Sequence, residues 1–261
     1  MSSQSRAWRS DLGVALVGLL LLVAWEASGA DMVVTRWFGS PEGFALRDHV
    51  FTQRVMHDGG RLLAWAVLAL LVWDCWRPIL PGPSRRMRAF GIGVVLALIL
   101  AVPALKWASA TSCPWDLAEF DGVAAYVPHW QLGVTDGGPG RCFPAGHAVA
   151  AFAYLGLFFQ WRPHHGRLAR ALLWGVVLLG LAFGSAQLVR GAHFVSHTAW
   201  SAWLCWCGAA LAHGLAQAWA TRRVSAASSP TAPAAPDTAA PNAPRSGSPG
   251  SRPRQPARQE R

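Results

Sequence analysis

The sequence predicts an all-α, polytopic membrane protein built as a six-helix transmembrane bundle. Of its 261 residues, 52% are hydrophobic and only 14% are charged. A water-soluble domain of this length needs more charge to cover its surface. The sequence also contains six apolar stretches, most of them close to the ~17–25 residues that cross a bilayer core. They cover residues 12–28, 61–80, 89–108, 146–161, 170–189 and 195–219.

Composition divides the chain into three parts. Residues 1–60 contain the first predicted transmembrane helix and a segment in which aromatic residues alternate with charged ones, as in an amphipathic segment at a membrane interface. Residues 61–224 contain the other five helices and form the predicted core. Residues 225–261 are rich in Pro, Ala, Ser and Arg and lack aromatic residues, which predicts a disordered cytoplasmic tail.

The basic residues predict the orientation in the membrane. They cluster before the first stretch, in the turns after the second and fourth stretches, and after the sixth. With six spans, all these clusters lie on one side, which the positive-inside rule assigns to the cytoplasm. Both termini are then cytoplasmic, and the loops 29–60 and 109–145 lie on the opposite side. The Ala-, Arg- and Trp-rich composition suggests a bacterial inner membrane, so that opposite side is the periplasm.

The first apolar stretch has two interpretations. Arg6 and Arg9 precede it, as the basic residues of a signal peptide precede its apolar core, and small residues follow at 27–30. The length of the apolar run and the presence of Glu26 favour a retained membrane anchor instead. Cleavage would not change the orientation of the helices that follow.

Five ionisable residues fall at the predicted helix ends on the non-cytoplasmic side, and a sixth, Arg141, lies in the loop just before His147. Ionisable groups at this depth are energetically expensive, so each is a functional candidate. Cationic side chains can neutralise phosphate oxygens, and histidines can attack phosphorus or protonate a leaving oxygen near neutral pH. The pattern therefore predicts a phosphate site. Its members are Lys106, Arg141, His147, Arg190, His193 and His197.

Two local spacings add detail to this site. His193 and His197 are four residues apart, so on one helix they would share a face, and one imidazole could fix the tautomer of the other. The run from Pro144 to His147 precedes an apolar stretch and is expected to open a helix. Free backbone N–H groups at a helix start favour an anion.

Three motifs carry a resemblance to a known family. They are Lys106 followed seven residues later by Cys113-Pro114, then Pro144-Ala145-Gly146-His147, and finally the run from Gly191 through His193 to His197. In order and position they resemble the signatures of the type 2 phosphatidic acid phosphatase superfamily, which shares its site with vanadium haloperoxidases. Those signatures are Lys followed by Arg-Pro, then Pro-Ser-Gly-His, then Ser-Arg before Gly-x-His-x-x-x-Asp. The resemblance covers the last four predicted spans.

The resemblance implies an integral membrane phosphatase that hydrolyses a lipid-linked phosphate monoester or diphosphate through a phosphohistidine intermediate. His193 would be the nucleophile, and His147 would protonate the leaving alcohol. Lys106 and the backbone of Gly146 would bind the phosphate. His197 stands at the family's Asp position and would orient His193. No metal or other cofactor is implied, because cationic side chains neutralise the phosphate charge.

The sequence departs from the family pattern at several positions. The Arg of the first signature is Cys113, the Ser of the second is Ala145, and the Ser-Arg of the third is Ala186-Gln187. Arg190 and Arg141 stand near the lost arginines, so we expect them to bind phosphate as relocated cations.

The residue that serves as nucleophile depends on the register of the third motif. Counting from Arg190 makes His197 the nucleophile, with Ser201 as its partner. His193 is preferred because Gly191 precedes it at the family interval.

The two cysteines of the loop 109–145, Cys113 and Cys142, would flank the site implied by the resemblance. In an oxidising compartment they are expected to form a disulfide that staples the loop over the phosphate pocket. Two free thiols are the alternative.

Two other functional classes fit parts of the pattern. A b-type cytochrome would use His147 and His193 as haem ligands but has no need of the neighbouring cations. A non-catalytic lipid-phosphate-binding protein would keep the site without turnover.

The expected partners are a lipid phosphate and the bilayer, with no nucleic acid. The identity of the lipid and the oligomeric state are left open. The remaining histidines are interpreted as structural: His49, His57, His129, His164, His165 and His213.

Overall fold

Long helices with apolar surfaces make up most of the fold. The structure is a computed structural model that describes residues 3–131 and 133–227. In chain order the α-helices are α1 (Ser3–Ala27), α2 (Ala30–Thr35), α3 (Gly59–Trp76), α4 (Arg85–Ala108), α5 (Val149–Phe152), α6 (Gly156–Trp161), α7 (Gly166–Val189) and α8 (Val195–Ala227).

The segment 29–60 folds into several short elements, and its predicted amphipathic position at the membrane interface stays a prediction. It contains α2, a short antiparallel hairpin of β1 (Gly39–Ser40) and β2 (Gly43–Phe44), and a π-helix over Phe51–Asp58 that leads directly into α3. Met32 and Phe44 are buried in a small core outside the main helix bundle. The segment therefore folds because its apolar side chains pack against the loop 109–145 rather than lying on a membrane surface alone.

Within the described residues, four helical segments are long and apolar enough to cross a membrane: Ala7–Ala27, Phe51–Trp76, Arg85–Ala108 and Gly166–Val189. Their outward faces carry large exposed hydrophobic side chains, such as Leu62 and Leu100, each 71% exposed. Water does not tolerate so much contiguous apolar surface, whereas lipid chains cover it. The predicted all-α membrane fold is thereby confirmed.

The predicted total of six spans stays a prediction. The fourth predicted span, 146–161, begins as turns and becomes helical only at Val149, and the helix changes to a 3₁₀ turn over Ala153–Leu155 before α6. Its apolar helical run, Val149–Trp161, is shorter than a usual span. The sixth, α8, is 33 residues long and is not among these four segments.

The core of the bundle lies between α3, α4, α7, α8 and the short helices α5 and α6. Its buried members include Val95, Val102, Phe159, Cys205 and Ala209, and none of these is more than 2% exposed. The short helices are thus enclosed by the long ones. This enclosure places the start of α5 beside the ends of α4 and α7.

At the end of the bundle opposite the predicted phosphate site, buried ion pairs link the helices. Asp11 of α1 accepts two hydrogen bonds from the Arg162 guanidinium, at 2.6 and 2.7 Å. Asp74 of α3 pairs with Arg88 of α4, which also donates to the carbonyl of Pro83. The first ion pair connects α1 to the turn between α6 and α7, and the second connects α3 to α4. The polar side chain of α1 thus helps to hold the helices together.

Arg162→Ala is expected to destabilise the protein by roughly 3 kcal/mol, because it leaves the Asp11 carboxylate buried without its partner. Asp11 is only 4% exposed. The measurement is thermal unfolding in detergent, with Arg170→Ala as the matched control because Arg170 is exposed on α7. Equal melting temperatures for both variants would contradict the importance of this pair.

The fold and the predicted site lie within residues Met1–Thr221, which form one compact unit. Arg222–Arg261 form a second unit, of which the structure describes only the end of α8. The tail predicted from residue 225 begins within that helix. From residue 228 onwards the predicted disordered tail lies outside the described residues.

Candidate active site

A cavity of about 420 Å³ opens where the ends of α3, α4, α5 and α7 meet. Three cationic side chains and three imidazoles line it, and no lining residue carries a carboxylate. The lining also includes the backbone of Gly146 and the ring of Trp115. The ionisable members are Arg61, Lys106, Arg190, His57, His147 and His193. Such a positive, imidazole-rich cavity suits an oxyanion with several negative charges.

Lys106 lies in the last turn of α4. Gly146 is next to it, and a Cβ added at Gly146 would lie 3.7 Å from Cδ of Lys106. The lysine stem therefore passes over the glycine backbone, as expected if both contribute to one oxyanion pocket. Lys106 and Gly146 are brought together as the sequence predicts.

His147 is held by the π-helix that precedes α3. Its Nε2 lies 3.2 Å from the carbonyl oxygen of Met56, to which it donates, and its ring stacks on that of His57 with centroids 4.4 Å apart. A π-helix has an extra residue per turn, and such helices are frequent at functional sites. With Nε2 donating to the protein, Nδ1 is the nitrogen of His147 left for a ligand.

Arg190 and Gln187 supply donors from the end of α7. Arg190 is buried, and its Nε donates to the carbonyl of Arg47 at 2.7 Å, which leaves the two terminal NH₂ groups for a ligand. Gln187 stands where the family has Arg, lines the same cavity and is 3% exposed, and its Nε2 has no hydrogen-bond partner. A buried donor without a partner is costly, so a bound oxyanion would stabilise it.

His193 lies in the turn between α7 and α8 rather than on a helix. Gly191 has a φ of +72°, which a residue without a Cβ adopts readily, and α8 begins only at Val195. The backbone N–H of His193 donates to the carbonyl of Gln187 at 3.4 Å, and that of Ala192 does so at 2.9 Å. The turn is wrapped over the end of α7 and directs His193 into the cavity wall.

His197 does not line the cavity, and the expected hydrogen bond to His193 is not formed. The rings of the two histidines lie 5.8 Å apart between centroids, and Nδ1 of His197 has no hydrogen-bond partner. His197 is 1% exposed and packs against the rings of Phe143 and Phe194. The shared helix face fails as a prediction because His193 precedes α8, so the four-residue interval does not follow helical geometry.

Arg141 is also outside the cavity. It is exposed and adopts a φ of +58°, and its guanidinium lies over the ring of Trp107, 4.7 Å from the centroid. The backbone conformation and the stacking direct its side chain to the outer surface of the loop. The structure thus brings Lys106, Gly146, His147, Arg190 and His193 together and leaves Arg141 and His197 out.

Cys113 and Cys142 are joined in a disulfide. Cys113 lines the cavity, and Cys142 lies beside it with no solvent exposure. Among the described residues, Cys113, Cys142 and His193 form one cluster of possible metal-ligand types, with donor atoms within 4.8 Å of one another. Because both sulfurs are bonded to each other, neither is a thiolate ligand.

A small apolar cluster, called the cap below, adjoins the cavity through Trp115. Trp115 packs against this cap and donates its backbone N–H to the carbonyl of Gly191 at 2.9 Å. The guanidinium of Arg47 lies over the Trp115 ring. The cap consequently links the hairpin, the loop 109–145 and the turn that bears His193. Its buried members are Met32, Phe44, Leu117, Phe120, Ala124 and Phe194.

The sequence interpretation missed His57, Arg61 and Gln187 as members of the site. The sequence pattern assigns His57 a structural role and makes Arg61 the first residue of a predicted span. A signal for both existed, since an arginine and a histidine four residues apart precede an apolar stretch at the same rim. Gln187 was noted only as a lost arginine, although an amide at that position can still donate to an oxyanion.

The comparisons with known proteins agree with this geometry. The model of the PAP2 superfamily matches residues 88–220, just over half of the chain. That range contains Lys106, His147, Arg190 and His193 but not His57 or Arg61. No curated protein and no solved structure matches the chain. On the family match and the order of these residues, the chain belongs to the PAP2 superfamily, whose members are generally phosphatases.

Proposed function

We propose that this protein is an integral membrane phosphatase that hydrolyses a lipid-linked phosphate monoester or diphosphate. The observation that carries the proposal is the cavity lined by Arg61, Lys106, Arg190 and three histidines without any carboxylate. Cationic donors placed around one site stabilise the charge on the transferring phosphoryl group.

In the proposed reaction, Nε2 of His193 attacks phosphorus while the bond from phosphorus to the leaving oxygen breaks. Nδ1 of protonated His147 gives its proton to that oxygen. Water then attacks the phosphohistidine and loses a proton to His147, which releases inorganic phosphate and restores both imidazoles. Lys106, Arg190 and Gln187 bind the non-bridging oxygens throughout. Side chains neutralise the charge, so we expect turnover in the presence of a metal chelator.

The proposed lipid linkage is supported by a second, apolar cavity of about 610 Å³. It is lined by side chains of α1, α7 and α8 together with Phe152 and Leu155. On α7 the two cavities use neighbouring residues, since Leu188 lines the apolar one and Gln187 lines the charged one. A hydrocarbon chain in the apolar cavity would hold a phosphate head near the histidines.

The proposed location is a bacterial inner membrane, with both termini in the cytoplasm and the site facing the periplasm. The positive-inside rule supports this orientation. The site and the disulfide lie at the end of the bundle away from Arg88 and Arg162, and a disulfide persists in an oxidising compartment.

The test is phosphate release by the detergent-purified protein from phosphatidic acid, a polyprenyl diphosphate and a lipid A phosphate, with chelator and with or without vanadate. We expect turnover of at least one lipid and inhibition by vanadate, which mimics the five-coordinate phosphorus. Binding of these lipids without turnover would replace the proposal with a non-catalytic lipid-phosphate-binding protein. A haem absorbance spectrum of the purified protein would instead support a cytochrome.

In the pH dependence of kcat, the decrease on the acid side is expected to lie below pH 6.5. Burial, together with the positive charge of Lys106, lowers the pKa of His193 well below the usual 6.5, while the Cys142 main chain partly opposes this. The imidazole of His193 therefore stays neutral and nucleophilic at pH 6.5, and its protonation lowers the rate as the pH drops through the lowered pKa. The measurement is the pH dependence of kcat, with substrate ionisation followed separately by phosphorus NMR. An acid-side decrease at or above pH 6.5 that is not due to substrate would contradict this expectation.

A further inference from the structure

A histidine that attacks phosphorus needs a proton on one ring nitrogen and a free lone pair on the other. An acceptor near Nδ1 provides this by holding the Nδ1–H tautomer, which leaves Nε2 unprotonated. The family places a carboxylate at this position, and here the corresponding residue is His197. Because His197 does not contact His193 by a hydrogen bond, another group must fix the tautomer.

Sγ of Cys142 lies 3.4 Å from Nδ1 of His193, in a hydrogen-bonding position, and the main-chain carbonyl of Cys142 is a second acceptor beside this imidazole. Both residues are buried, with Cys142 at 0% and His193 at 4% exposure. A sulfur in a disulfide carries no proton and can only accept. The contact is therefore a hydrogen bond only if the proton resides on Nδ1 of His193.

The position of this sulfur is fixed from several directions. Cys142 donates its backbone N–H to the carbonyl of Thr111 at 2.9 Å, and its Sγ lies 3.1 Å from the carbonyl oxygen of Ala192. Its bond to Cys113 ties it to the residue that occupies the family's Arg position. The charged neighbour of His193, Lys106, is a cation and cannot accept a hydrogen bond.

We propose that the Cys142 sulfur, held in place by Cys113, is the positioning group of His193 and takes over the role of the missing carboxylate. The inference rests on the proposed function, in which His193 is the nucleophile. It assigns the disulfide a part in catalysis beyond stapling the loop. It also explains how an enzyme of this family can keep an oriented nucleophile with histidine at the Asp position.

The test compares three variants that all lack the disulfide and differ only in the group at position 142. They are Cys113→Ser alone, Cys113→Ser with Cys142→Ser, and Cys113→Ser with Cys142→Ala. The first two keep a side-chain acceptor beside Nδ1, and the third keeps only the main-chain carbonyl of position 142. We expect kcat of the third to be about three- to tenfold lower than that of the other two, as for the loss of one hydrogen bond, with KM unchanged.

This design separates positioning from stapling, because a staple would be lost equally in all three variants. Melting temperatures are measured for each to confirm folding. Equal kcat values in the three variants would overturn the proposal and assign the orientation of His193 to the Cys142 carbonyl instead.

A second readout does not depend on turnover. In the protein with ¹⁵N-labelled histidine, the NMR signals of His193, assigned by comparison with His193→Gln, report its tautomer at neutral pH. We expect the Nδ1–H form in the unaltered protein and a mixture of tautomers in the Cys113→Ser/Cys142→Ala variant. An Nε2–H form in the unaltered protein would overturn the proposal. If no lipid phosphate is hydrolysed, the proposed function fails while the tautomer still decides this inference.

Discussion

His193→Ala is expected to lower phosphate release by at least about 10⁴-fold, the largest effect of any single substitution, because it removes the nucleophile. His193 lines the charged cavity, and its turn is held to the end of α7 by two backbone hydrogen bonds to Gln187. The measurements are steady-state phosphate release and trapping of the labelled phosphoenzyme from a radioactive substrate. The variant is expected to form no phosphohistidine.

The matched control is His197→Asn, which alters the other histidine of the same motif. His197 is buried among aromatic rings and lies outside the cavity, so turnover should stay within about tenfold of the unaltered protein, with the loss due to packing. The reverse result, with His197 essential and His193 dispensable, would support the alternative register with Ser201 as partner. In the structure, however, the Ser201 hydroxyl is within 2.9 Å of the carbonyls of Ala145 and His197 and not of a ring nitrogen.

Arg190→Ala is expected to lower kcat by about 10²-fold, as for removal of one donor to the transition-state oxyanion. The guanidinium is anchored through its Nε to the Arg47 carbonyl, so its NH₂ groups meet the phosphoryl oxygens without a large loss of side-chain entropy. Arg190→Lys should recover only part of the rate, because an ammonium cannot make the same bidentate contact. Steady-state kinetics at saturating lipid distinguish the three proteins.

The control for Arg190 is Arg141→Ala, since the sequence pattern predicts both arginines as phosphate ligands. The Arg141 side chain is exposed and stacked on Trp107, so its removal should change kcat by less than about twofold, as for a screened surface charge. A larger loss at Arg141 than at Arg190 would show that the loop closes over the substrate in a way that this structure does not contain.

The rim on which the site lies was predictable because helix length and hydrophobicity determine where a span ends. An α-helix rises 1.5 Å per residue, so residues at the ends of apolar stretches reach the membrane surface regardless of their packing. That argument placed Lys106, His147, Arg190 and His193 at one depth, and the structure brings them into one cavity. It carries no information on the direction of each side chain around its helix.

The sequence prediction and the structure differ in the directions of the side chains. The sequence predicts three cations and three histidines, and the cavity contains that number, but Arg61 and His57 stand in place of Arg141 and His197. Two local features are responsible for these changes. Gly191 ends α7 in a left-handed turn that separates His193 from α8, and the π-helix before α3 turns His57 onto His147.

The amino-acid sequence alone determined the family, the all-α membrane fold and the types of side chain that line the cavity, because these depend on composition, helix length and the order of motifs. Tertiary structure alone decides which group orients the nucleophile. The Cys142 sulfur meets Nδ1 of His193 across 51 residues of chain, and Met56 meets His147 across 91. Contacts at such separations depend on how the turns between helices aim their side chains, which no helical period or motif interval specifies.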